Sequence, residues 1–184
     1  NTLMEPDLVK KLVRKITPFV SEIQKCMIDA GATVMWMADP TSSEDLISPD
    51  MFSEFSGDYI RDVVRKVKAH ADVPAFVHIC GNTLETMKLL PATGADCLSL
   101  DHAVDITKAK HNAGRNITIM GNLDPVNVIQ QATPEAVEAA TTDLLEKTAG
   151  AKNFVISTGC DLPPAVPEAN IEAFFAAVDK YNAR

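Results

Sequence analysis

The sequence predicts an α/β fold: the later part of a (β/α)8 TIM barrel, with about five β-strands, each followed by a helix. Three observations carry this expectation. Short, nearly all-apolar runs recur along the chain, as strands buried on both faces of a parallel sheet require. Amphipathic stretches separate them, the alternation that covers such a sheet with helices. The runs end in Asp39, in His78 with Cys80, in Asp101, in Asn122 with Asp124, and before Cys160. Barrel enzymes gather their chemistry at those C-terminal strand ends. A closed barrel needs eight strands and about 250 residues. A chain of 184 residues is therefore expected to form one domain, residues 1–184, holding the later units without the opening ones.

The elements follow in order. Leu8, Leu12, Ile16, Phe19, Ile23 and Met27 recur at helical spacing up to Gly31, a good terminator. Thr33 to Ala38 reads as a buried strand, which is also the reading given to Met35-Trp36-Met37. Ser48-Pro49-Asp50 supplies an N-cap, a first-turn proline and an early acid for a helix reaching about His70. Val73 to Ile79 is a strand, Thr83 to Leu90 a helix, Cys97 to Leu100 a strand and Asp105 to Asn112 a short helix. Ile117 to Met120 is a strand, and Thr133 caps a helix running to about Ala149. Phe154 to Ser157 and Pro167 to Tyr181 complete the alternation. No glycine-rich phosphate loop follows a strand, so a nucleotide-binding doubly wound fold loses support.

Bulk properties exclude several functions. A formal net charge of −8 argues against a nucleic-acid surface, and no apolar run is long enough to cross a bilayer. Cys26, Cys80, Cys97 and Cys160 are dispersed, unlike a secreted disulfide scaffold, so a cytoplasmic setting is expected. The chain opens at Asn1 without an initiator methionine, which is read as a fragment or processed product. Self-association is left open.

His78 and Cys80 lie two apart on a strand, so both side chains project to one face and can chelate a borderline cation such as zinc. The competing reading is a buried histidine and cysteine without metal. Cys160 follows Gly159 and precedes Pro163-Pro164, on a stiffened loop beyond a strand. Two thiols and one imidazole suit zinc, and a distant third ligand fits an open catalytic site better than a closed structural one. Asp101 is a candidate for the fourth position, or else a capping acid. His102 should point to the opposite face. Cys97 and Cys26 are expected to be core residues, and His70 and His111 to cap helix C-termini.

Several segments carry a resemblance. Gly121-Asn122-Leu123-Asp124-Pro125, Thr133-Pro134-Glu135-Ala136-Val137 and Gly159-Cys160-Asp161-Leu162-Pro163-Pro164 resemble the uroporphyrinogen decarboxylase superfamily, as do Leu46 to Phe52 and Leu100 to Asp105. The resemblance implies a (β/α)8 barrel. Its decarboxylases typically carry Gly-His where this chain has Gly159-Cys160, and they lack the His-x-Cys pair. Its methylcobamide:coenzyme M methyltransferases carry both cysteine motifs and bind zinc with them. The more distant cobalamin-independent methionine synthase has an acid on a later strand, which strengthens Asp101 as a ligand.

The expectation is thus a zinc-dependent methyltransferase that moves a methyl group from a methylcobamide, carried by a methylated corrinoid protein, to a small thiol such as coenzyme M. Metal ligands would be His78, Cys80, Cys160 and Asp101, with Asp39 and Asn122 lining the substrate cavity. The alternatives are a metal-free uroporphyrinogen decarboxylase and a non-catalytic fragment.

Overall fold

A computed structural model of the chain describes residues 2–184. Helix α1 spans Pro6–Asp29 and strand β1 Met35–Ala38. Helix α2, Pro49–Phe52, starts at Ser48, whose hydroxyl accepts the Met51 N–H, and runs through a π-type turn, Ser53–Gly57, into α3, Asp58–His70. Then come β2 Ala75–Ile79, β3 Cys97–Leu100, α4 Ile106–Ala113, β4 Thr118–Leu123, α5 Pro134–Lys147, β5 Phe154–Thr158 and α6 Glu168–Asn182.

The five strands form one sheet in the order β1-β2-β3-β4-β5, every pair parallel. The order never reverses, so right-handed crossovers place all connections on one side, as in a barrel wall. Residues in register share a face. Met35, Val77, Leu98, Leu100 and Ile119 face the helices and join Val64, Val67, Ala109 and Val137 in the core. Burying each larger side chain there stabilises the fold by about 1.5–3 kcal/mol. The opposite face carries Trp36, Phe76, His78, Ser99 and Met120.

Two segments depart from expectation. The expected helix Thr83 to Leu90 is instead a pair of short 3-10 turns, Thr86–Lys88 and Leu90–Thr93. Pro91 disfavours the α conformation at Leu90, while the Glu44 carboxylate takes the N–H groups of Glu85 and Thr86 (2.8 and 2.7 Å). A π-type turn at Pro125–Gln130, capped by Asp124, lies beyond β4 where no helix was expected.

Helix α1 also turns the other way. It buries Thr17 and Ser21, and its apolar stripe faces solvent, with Phe19 73% exposed. Helical spacing identified the helix, but not the neighbour its stripe would meet. Among the described residues no helix is long and apolar enough to cross a membrane.

Candidate metal centre

Strand β2 delivers His78 buried, and Cys80 follows just past the strand end. The His78 ring is held at Nδ1, which lies 3.2 Å from the Ser99 carbonyl oxygen and 3.0 Å from its hydroxyl. A carbonyl can only accept, so Nδ1 carries the proton and Nε2 presents a bare lone pair. That nitrogen sits 3.3 Å from Cys80 Sγ, which is 3.9 Å from Cys160 Sγ. The donor atoms of His78, Cys80 and Cys160 all lie within 4.8 Å of one another.

These distances can be tested against a metal. A tetrahedral zinc with Zn–S of about 2.3 Å and Zn–N of about 2.0 Å would set its sulfurs about 3.8 Å apart and nitrogen and sulfur about 3.5 Å apart. The Cys80–His78 and Cys80–Cys160 separations stand close to that spacing and the third lies within 4.8 Å, so the donor set fits zinc. Burial, and then the adjacent Cys160, push the Cys80 thiol up to about 11. Two thiolates this close repel, and a divalent cation removes that penalty.

Cys160 is brought in by backbone contacts. The Gly159 N–H donates to the Leu123 carbonyl (2.7 Å), and the Thr158 hydroxyl donates to the Cys160 carbonyl (2.8 Å). A Cβ on Gly159 would collide with the His102 nitrogen, so this loop rests directly on the Asp101–His102 peptide.

Asp101 lies beside the donor atoms and not among them. Its Oδ2 accepts the Gly81 N–H and its Oδ1 the Ala103 N–H (2.9 Å each), and His102 Nδ1 stands 2.9 Å from Oδ1. The carboxylate thus braces the loop of Cys80 against the turn on which Gly159 sits. His102 does not follow the alternation assumed for it, because β3 ends at Leu100. Its ring reaches Asp101 on one side and approaches Asp124 Oδ2 at 3.6 Å on the other. Burial raises Asp124, but hydrogen bonds from Asn127 and the Val126 N–H outweigh it and hold that carboxyl below the usual range.

Asp39 accepts from the hydroxyls of Thr41 (2.9 Å), Ser42 (2.5 Å) and Ser56 (2.7 Å), tying the loop after β1 to the π-type turn. Asn122 donates to the carbonyls of Asp101 (2.9 Å) and Val104 (2.7 Å), lacing β4 to the loop after β3. Cys97 is buried in β3, as expected, whereas Cys26 is exposed because α1 turns that face outward. His70 pairs with Asp29 Oδ1 (2.7 Å) in place of a helix carbonyl.

Sequence reasoning missed Ser99 as part of the site and named Gly159 only as a turn former before Cys160. Ser99 could have been found from the strand register that sets it opposite His78. Gly159 serves instead by close approach, since a Cβ there would meet the His102 nitrogen.

Comparison with known proteins agrees with this architecture. The family described as uroporphyrinogen decarboxylase (URO-D) matches residues 1–181. The chain belongs to that family. Among its relatives, this uroporphyrinogen decarboxylase-family chain is 33% identical over 181 residues to a methylcobamide:CoM methyltransferase, MtbA, of Methanosarcina mazei, covering 98% of the chain and 52% of that protein. It is also 33% identical over 174 residues to a uroporphyrinogen decarboxylase of Synechococcus sp. (strain CC9605), covering 94% of the chain and 48% of the relative. A solved methyltransferase from Methanosarcina mazei superposes with a TM-score of 0.85 at 26% identity, over 98% of this chain and 52% of that one. The chain spans about half the length of the curated relatives it matches.

Proposed function

We propose that this chain carries the zinc site of a methyltransferase that moves a methyl group from a methylated corrinoid protein to a small thiol such as coenzyme M. The observation that supports it is the His78–Cys80–Cys160 cluster at the C-terminal edge of the sheet. Its likeness to the methylcobamide:CoM methyltransferases points the same way. Identity alone does not separate the two branches, since decarboxylases match equally well. The donor set favours the methyltransferase branch, because decarboxylation makes no use of two paired sulfurs.

Zinc held here would offer an open fourth position to the substrate sulfur and keep that sulfur deprotonated. The chain's own residues decide how nucleophilic it stays. Cys80 and Cys160, as thiolates, contribute two negative charges that offset the cation, so the substrate sulfur keeps the electron density needed to attack a methyl group. His78, fixed through Ser99, supplies the third donor without adding charge. Asp101 holds the two cysteine loops in register through Gly81 and the turn beneath Gly159. The corrinoid protein would dock where the strand ends open, with the methyl group moving to sulfur and the cobamide leaving with its carrier.

The test is metal content. Protein purified in metal-free buffer and supplied with zinc should retain about one equivalent, and Cys160→Ala should lower that occupancy sharply. Retention below about half an equivalent, unchanged in Cys160→Ala, would favour the decarboxylase reading.

A further inference from the structure

Trp36 was expected to be filler in a buried strand. The pairing of β1 with β2 puts it elsewhere: Trp36 stands opposite Phe76 and Ala38 opposite His78, so the indole shares the face of the metal ligands. Its ring lies 6.4 Å from the His78 imidazole with the planes 20° apart, and 6.0 Å from the Phe76 ring. The Gln24 side-chain amide donates to the Trp36 carbonyl (2.9 Å) and pins the backbone beneath it.

The imidazole has to be fixed in two respects before its lone pair can aim at a metal. Contacts at Nδ1 with Ser99 hold one edge of the ring but leave it free to tilt about that edge. A parallel, offset aromatic neighbour is the interaction that sets a ring's plane.

We infer that Trp36 is a positioning residue for His78, its indole setting the tilt of the imidazole and hence the direction of Nε2 relative to the two sulfurs. This rests on the metal reading above. The indole acts through His78. Any large apolar side chain could fill the same space, but only an aromatic one offers a flat face. That difference makes the inference testable.

The experiment is titration of the 184-residue chain with Co2+ in place of zinc, reading the thiolate-to-cobalt charge-transfer band and the visible ligand-field band. Wild type would be compared with Trp36→Phe, Trp36→Leu and Trp36→Met, with circular dichroism to confirm folding. Loss of a group that orients a ligand histidine typically weakens metal binding about 10- to 100-fold. Trp36→Leu and Trp36→Met should therefore bind Co2+ at least about tenfold more weakly, with a shifted ligand-field band. Trp36→Phe should come back to within about threefold of wild type. Equal affinity and equal spectra in all four proteins would overturn the role of Trp36 while leaving the metal site intact. Failure of both non-aromatic variants to fold would also overturn it, by making Trp36 a residue of the fold. Absence of the charge-transfer band in wild type would instead sink the metal reading, and this inference with it.

Discussion

Gly159 has almost no space around its α-carbon. A methyl group there would press on the His102 nitrogen, on the Asp101 carbonyl carbon (3.0 Å) and on the His102 Cα (3.0 Å). Backbone cannot yield as a flexible side chain does, so the Cys160 loop would have to lift off the Asp101–His102 turn. Gly159→Ala should cost about 1–3 kcal/mol of stability and weaken zinc binding about tenfold or more, because Cys160 moves with the loop. Urea unfolding and a zinc-competition titration would check both, and an unchanged affinity would show that the loop is not what sets the sulfur spacing. At this scale the closeness of His78 and Cys80 was expected from their spacing of two; Cys80 lies just past β2, and its Sγ still stands 3.3 Å from His78 Nε2. Ser99 and the reach of Cys160 were not, because strand pairing and loop packing create those contacts between residues far apart in the chain.

Elements are held together by a few buried polar groups whose loss can be forecast. Asn170, 1% exposed near the start of α6, donates to the carbonyls of Ile129 (2.8 Å) and Ala132 (2.9 Å), locking α6 onto the turn after β4. Asn170→Leu would leave both carbonyls without that donor and should destabilise the chain by about 1–3 kcal/mol, seen as a lower urea midpoint.

Strand β3 offers a pH test. Burial first, and then Asp96, push the Cys97 thiol up to about 12 from an ordinary value of 9.0. Below pH 9 the thiol is neutral folded or unfolded and costs nothing. As pH rises from 9 toward 12 the unfolded chain releases the proton while the folded chain retains it, so stability falls. Unfolding free energies of the metal-free protein at about pH 7.5 and about pH 10.5 should drop more for wild type than for Cys97→Ala; equal drops would assign the loss to other groups. The strands were readable because short, mostly apolar runs of four to six residues suit a parallel sheet, although only β3 is buried on both faces throughout. The segment 83–90 was misread as a helix because its fate is set by Glu44, 41 and 42 residues before the Glu85 and Thr86 N–H groups that it captures.

At the scale of the whole molecule, the order β1-β2-β3-β4-β5, all parallel, gathers every C-terminal strand end on one rim, where His78, Cys80 and Cys160 come together. The flank formed by α1 is different. Leu8, Leu12, Phe19, Ile23 and Met27 are exposed along one face of that helix, and a contiguous apolar stripe in water favours association. The 184-residue chain should therefore self-associate as concentration rises, and the pair Phe19→Lys and Ile23→Lys should suppress this in sedimentation without changing zinc content.

The succession of strands and helices, the fold class and the candidacy of His78, Cys80 and Cys160 are local or composition-level properties, so the sequence carried them openly. Three things belonged to the tertiary structure: that Cys160 stands 3.9 Å from Cys80, that Asp101 braces loops beside the cluster, and that α1 turns its apolar stripe outward. Each depends on which distant segments pack together, and periodicity along a chain encodes the shape of an element but not its neighbours.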